Sequence, residues 1–182
     1  MSVVTVGAAG SRPVVVVARR LAAMHRIDPL LLAWLESVQT VPVFVRSHDF
    51  DVVASNRSAR ELSAVFEVGT NLLRATFFVP AAREALPDWA GATGQVVALV
   101  LNEAGLMSPE PELRRLVGEL ASKSDRFSEA LAEEPAVLPS GTPIVFDHPE
   151  RGRLRLSFQQ LRLPGTDRQT LVLVSVDSGS PV

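Results

Sequence analysis

The 182-residue chain contains no cysteine. A disulfide framework and thiolate metal sites are therefore excluded. Histidine is scarce, and His25, His48 and His148 lie far apart, without the spacing of metal ligands. No Gly-x-Ser-x-Gly elbow marks a nucleophile. The glycines Gly7 and Gly10 follow Val3-Val4-Thr5-Val6, but no Lys-Ser or Lys-Thr comes after them, so they read as an ordinary loop rather than a phosphate cradle. Long apolar runs are also missing. Runs such as Val14 to Ala18 and Val96 to Leu101 fall well short of the roughly 18 residues of a membrane span. Arg19 and Arg20 come after the valines, the wrong order for a signal peptide. A basic surplus is absent too. The formal net charge is −2, whereas a grip on duplex DNA requires a basic face. The expectation is a cytoplasmic protein with no membrane span, no metal, no cofactor and no direct contact with DNA. No catalytic residue is identified, because Glu133-Glu134 and Glu110 with Glu112 read as solvated helix positions.

What is present is apolar material, 47% of the chain, enough for the core of one domain. Residues 1–27 read as an arm, punctuated by Gly7, Gly10 and Pro13 and ending in the basic stretch Arg19 to Arg26. The domain proper is 28–182. Asp28-Pro29 opens a helix with an acidic cap and a first-turn proline. Val41 to Ser47 and Phe50 to Ser55 read as a hairpin turning at His48-Asp49, with alternation in its second strand. Helical segments follow: Ser58 to Phe66, Asn71 to Phe78, Ala81 to Leu86, a longer one capped by Asp88 and stopped by Gly105, one begun by Ser108-Pro109, and one capped by Ser124. Val96 to Leu101 is apolar on every side, which predicts full burial. Three strands close the chain within Pro143–Asp177. Their turns fall at Pro149 to Gly152 and Pro164-Gly165. The apolar phase of Leu154, Leu156 and Phe158 slips to Leu161 and Leu163, which predicts a β-bulge near Gln159-Gln160. Leu171 to Val174 is a continuous apolar run, as in a central strand. The fold class is thus α+β, with one PAS-like five-stranded antiparallel sheet under a helical lid. A small-molecule pocket between lid and sheet is its natural consequence.

Ordered segments carry a family resemblance. They are Val52-Val53-Ala54-Ser55-Asn56-Arg57-Ser58-Ala59-Arg60, Asn71-Leu72-Leu73-Arg74, Pro80-Ala81-Ala82-Arg83 with Pro87-Asp88-Trp89, Leu116-Val117-Gly118-Glu119-Leu120 with Ser124 and Phe127, His148-Pro149 with Gly152, and Gly179-Ser180-Pro181. From about Asp28 to Pro181 the chain resembles the ligand-binding domain of MmyB-like transcription regulators. That resemblance implies a PAS-like fold, a fatty-acid-like ligand and a role in bacterial transcription regulation. The family usually carries an N-terminal helix-turn-helix, for which the 27 arm residues are too short. Ser55 and Leu131 stand where the family usually has tryptophan, and Glu133-Glu134 where it has a basic-histidine pair.

Within this frame Leu72, Leu73, Phe77, Phe78, Trp89, Val96, Val97 and Val100 are candidates to line the cavity. Asn56 either bonds a ligand head group or caps the following helix. Arg74 either forks onto a ligand carboxylate or bonds within the protein. Trp89 is a pocket wall or a core anchor, and His148 fixes a turn rather than moving protons. The expected function is sensing of a hydrophobic small molecule, with output through a regulator protein or a homodimer. A pathway enzyme reusing the pocket and a dimerisation module are the alternatives. The arm after Met1 favours a stand-alone product over a piece of a longer regulator.

Overall fold

A computed structural model describes residues 4–6, 14–16, 27–105, 111–133, 142–165 and 168–178. Gly7, Gly10 and Pro13, the Arg19 to Arg26 stretch, Ser108-Pro109, Glu110, Glu134 and Gly179-Ser180-Pro181 lie outside the described residues. Strands β1 (Val4–Val6) and β2 (Val14–Val16) pair antiparallel as a separate two-stranded ribbon.

The principal sheet comes from β3 (Val43–Arg46), β4 (Val52–Ser55), β5 (Ile144–His148), β6 (Gly152–Arg162) and β7 (Thr170–Ser178). Its order is β4-β3-β7-β6-β5, and every pairing is antiparallel. The apolar run at Leu171 does sit in the central strand. α1 (Pro29–Ser37) precedes β3, and between the two strand groups lie α2 (Arg57–Leu62), α3 (Leu72–Phe78), α4 (Pro80–Glu84), α5 (Trp89–Gly105), α6 (Pro111–Lys123) and α7 (Asp125–Ala132). The expected α+β class and its single five-stranded antiparallel sheet are therefore present.

Local chemistry places the helix ends as the sequence predicts. Asp28 accepts from the Leu30 N–H at 2.8 Å, and Pro29 fills a first-turn position where no amide bond is lost. Asp88 accepts from the Gly91 N–H at 2.9 Å and Ser124 from the Phe127 N–H at 3.2 Å. Pro80 ends α3 and opens α4 in one step.

Three expectations need correction. The register of β6 against β7 runs unbroken from Leu154↔Ser178 to Arg162↔Thr170, so there is no bulge at Gln159-Gln160. The apolar phase slips because the ladder is continuous and its cover changes sides. Leu154, Leu156 and Phe158 belong to a cluster with α2 on one face of the sheet. Leu163, with Leu171 and Leu173, packs under α1 on the other. The bulge falls instead between β3 and β4: Val45 faces Ala54 and Arg46 faces Val52, leaving Val53 as the extra residue. It breaks the expected alternation, sending Val52 to the α2 side and Ala54 to the α1 side. Finally, the apolar stretch of α5 is not wholly buried. Val97 and Val100 are, whereas Val96 and Leu99 are partly covered and Leu101 is 37% exposed.

Candidate ligand-binding site

The lid is hung on the first hairpin. Phe50, with φ +67°, turns the chain in a conformation costly for a bulky residue and is buried there at 2% exposure. Its carbonyl accepts from the Leu72 N–H at 2.9 Å. Asn71 caps α3 by accepting from the Arg74 N–H at 3.1 Å. The same amide donates to the Asp49 carbonyl at 2.8 Å and to Asp51 Oδ1 at 2.7 Å. One asparagine thus fixes both where α3 starts and how it leaves the hairpin.

From that start α3 delivers its side chains into a helical cluster. Leu73, Val97 and Val100 are buried there with Leu113, Leu116, Leu120 and Phe127. Phe77 meets Phe127 edge-on with centroids 5.0 Å apart, and Trp89 at 6.3 Å. Trp89, itself partly exposed, therefore reaches the cluster through Phe77. Leu72 belongs both to this cluster and to the sheet cluster of Phe44, Leu154, Leu156, Val172 and Val174. The structure so brings together Leu72, Leu73, Phe77, Trp89, Val97 and Val100. Partly buried rings border each side, Phe77 and Phe78 on the helices and Phe146 and Phe158 on the sheet. Two apolar bodies with half-covered rims thus meet at Leu72.

The two polar candidates lie elsewhere. Asn56 is 2% exposed, and its side chain is fully engaged. Its Oδ1 accepts from the Ala59 and Val43 N–H groups, each at 3.0 Å. Its Nδ2 donates to the Val38 carbonyl at 2.7 Å and the Val41 carbonyl at 2.8 Å. An asparagine amide has two donors and two acceptor positions, and all four are used. Asn56 caps α2 and also ties the α1–β3 connection to β4; none of these partners is on α3 or α5. Arg74 pairs with Glu119 of α6, Nη2 to Oε2 at 2.6 Å and Nε at 3.3 Å, in a partly exposed setting. The guanidinium, with Lys123 adding at 3.5 Å, holds the Glu119 carboxyl below the usual carboxylate range.

A residue the sequence reading passed over is Arg46. It ends the apolar run Pro42-Val43-Phe44-Val45, and an arginine closing such a run was the available signal. Its side chain is 2% exposed on the lid face of the sheet. Nη2 donates to Glu103 Oε1 and to Gln160 Oε1, each at 2.9 Å, and Nη1 to the Ser47 carbonyl at 3.2 Å. The guanidinium carbon stands 4.4 Å over the Phe50 ring. Nε has no partner among the described residues. Burial pulls this guanidinium below its ordinary value, against Glu103, which pulls it back. Arg162 reaches the other oxygen of Glu103 at 3.3 Å. The C-terminal end of α5 is thereby fastened to β3 and β6.

His148 accepts from the Glu150 and Arg151 N–H groups at Nδ1, each at 3.1 Å, and its Nε2 lies 3.2 Å from the Glu61 carbonyl. Two donors at Nδ1 leave the proton on Nε2. The imidazole thus holds the β5–β6 turn, where Gly152 has φ +70°. Among the described residues no three His, Asp or Glu side chains gather to hold a metal, and no helix is long and apolar enough to cross a membrane.

A family model described as MmyB-like transcription regulator ligand binding domain matches residues 27–182, and no helix-turn-helix domain was found in the chain. No curated protein is similar enough to count as a match.

Proposed function

The chain belongs to the MmyB-like transcription regulator ligand-binding domain family, and from that premise we propose that it senses a hydrophobic, fatty-acid-like molecule held in the seam between lid and sheet. Residues 28–182 form the sensor and 1–27 an arm. The observation that carries the reading is the pair of apolar clusters meeting at Leu72 with half-covered aromatic rims. A single closed core would bury those rings against one another. Output passes to a regulator protein or a second copy, since the net charge of −2 supplies no general attraction to DNA.

The test is a melt of the purified chain with dodecanoic acid and with dodecan-1-ol. At 100-fold saturation, binding to the folded state adds about 2.7 kcal/mol. For a chain of this size that raises Tm by roughly 5–11 °C. No shift with either compound, together with no bound lipid by native mass spectrometry, would sink the reading. One observation favours an interaction module as the second reading. The outer side of α1 exposes Leu30 at 79% and Trp34 at 43%, four residues apart on one helical face. A concentration-independent monomer that captures no regulator would remove it.

A further inference from the structure

We propose that Arg46 and Arg162 form a carboxylate seat at one end of the lid face, occupied by Glu103 until the carboxylate of an apolar ligand displaces it. This rests on the binding reading above and assigns the head-group site within it. The register places the seat. Arg46 lies opposite Thr170 on β7, and Thr170 opposite Arg162 on β6, so the three share one cross-strand row and one face of the sheet. Glu103 descends from α5 onto that row and bridges both guanidinia. The geometry is that of a bound carboxylate, and the chain supplies its own.

Three features mark the seat as built for exchange. Two guanidinia share one carboxylate, and the charges acting on Arg46 are Glu103 and Arg162, which leaves a positive charge in excess. Arg46 Nε is a buried donor with no partner among the described residues, so a second acceptor is wanted at this point. Arg162 is 62% exposed while Arg46 is 2% exposed, so an acid can approach from the open side and end at the buried one. The adjacent row carries Phe44 and Val172 with Gln160, which bonds Arg46, and the rows beyond it are apolar: Phe158 beside Val174, Leu156 beside Val176. From Arg162 to Leu156 is a run of about 20 Å at roughly 3.4 Å per residue. An amphiphile laid along it has its acid on the arginines and its chain on the apolar rows. Arg74 is a weaker seat, because a single, partly exposed guanidinium there is already matched by Glu119.

Calorimetric titration of the full chain with dodecanoic acid and dodecan-1-ol decides the matter. The alcohol reports the apolar seam, and the difference between the two reports the seat. Glu103→Gln removes the internal competitor's charge and is expected to tighten the acid about tenfold while leaving the alcohol unchanged. Arg162→Gln, at an exposed position, is expected to weaken the acid alone; should Glu103→Gln fail to fold, it carries the same decision. If the alcohol binds but the acid responds to neither substitution, the seat is refuted and the apolar reading stands. If Arg74→Gln, and not Arg162→Gln, erases the preference for acid, the head group lies on α3 and the seat is equally refuted. If neither compound binds the wild type or any variant, both readings fall.

Discussion

Replacing Asn56 by alanine tests whether this side chain serves the fold or the ligand. The substitution removes four hydrogen bonds from a residue 2% exposed. Loss of an asparagine cap costs about 1 kcal/mol. The Val43 N–H is the more serious loss, because Val43 is wholly buried and water cannot replace the acceptor. A buried donor left unmade costs about 1–3 kcal/mol. The Val38 and Val41 carbonyls lie in partly or fully exposed residues and recover solvent at little cost. The total is about 2–4 kcal/mol, or roughly 4–16 °C in Tm for a chain of this length. Urea denaturation followed by circular dichroism, with the slope unchanged, is the assay. A loss under about 1 kcal/mol would refute the clamp. Ligand affinity measured well below the melt is expected to be unchanged. A stable variant that no longer binds would assign Asn56 to the head group instead.

The other outcomes are more direct. Leu73→Ala opens a cavity at a fully buried position and is expected to cost about 2–5 kcal/mol, where Leu30→Ala at an exposed one costs under about 0.5 kcal/mol; equal losses in a denaturant series would overturn the assignment of the helical core. Glu119, Glu133 and Asp147 are each held below the ordinary carboxylate range, by Arg74, Arg126 and Arg153 respectively. Their contribution is present above the unfolded carboxylate value and is lost as pH falls through the lower folded values. Because all three are solvent-screened, Tm should fall only modestly between pH 5 and pH 3, two units near the ordinary carboxylate value of about 4.3, and Arg74→Gln should flatten the Glu119 part; a Tm rising on acidification contradicts it. Ser55 pairs with Phe44 and so shares the lid face, and Ser55→Trp should weaken acid and alcohol alike by filling space beside Phe44; unchanged titrations would place the guest elsewhere.

The strand order and helix ends were legible because they depend on local chemistry. Asp28, Asp88 and Ser124 announce their helices, and Pro80 can only stop one and begin another. The covering of each sheet face was not legible, because it depends on which helix lies where. A phase slip such as Phe158 to Leu161 has two causes, a bulge or a change of cover, and the sequence does not distinguish them. The real bulge at Val53 hid behind a clean alternation of Phe50, Val52 and Ala54. In the candidate site, the apolar members of α3 and α5 followed from helical spacing. Arg46 did not, since an arginine at a strand end reads as solvent-facing until a helix is laid over it. The cap Asn56 places on α2 was legible three residues away, but its other partners, and that of Arg74, were not, because they come from residues 13 to 45 positions away.

The joints between lid and sheet differ in kind from what each contains. The sheet side is a packed cluster with α2, and the helical side is a second cluster centred on Leu73 and Phe127. Between them run Leu72, the backbone bond from the Asp147 N–H to the Ala85 carbonyl at 2.8 Å, and Glu103 on its two arginines. Apolar cores resist deformation because every displaced atom loses its contacts at once. Ionic joints are exchangeable, since a competing carboxylate restores what Glu103 gives up. On the reading proposed, the ligand's acid acts at the ionic joint alone, while its chain takes the place of the cover now packed on the sheet cluster. It replaces one carboxylate, releases the end of α5, and lets the lid settle against the guest. The protein's response is then governed by the difference in affinity between the seated and displaced states of Glu103, which is the only quantity a ligand can use to shift such an equilibrium.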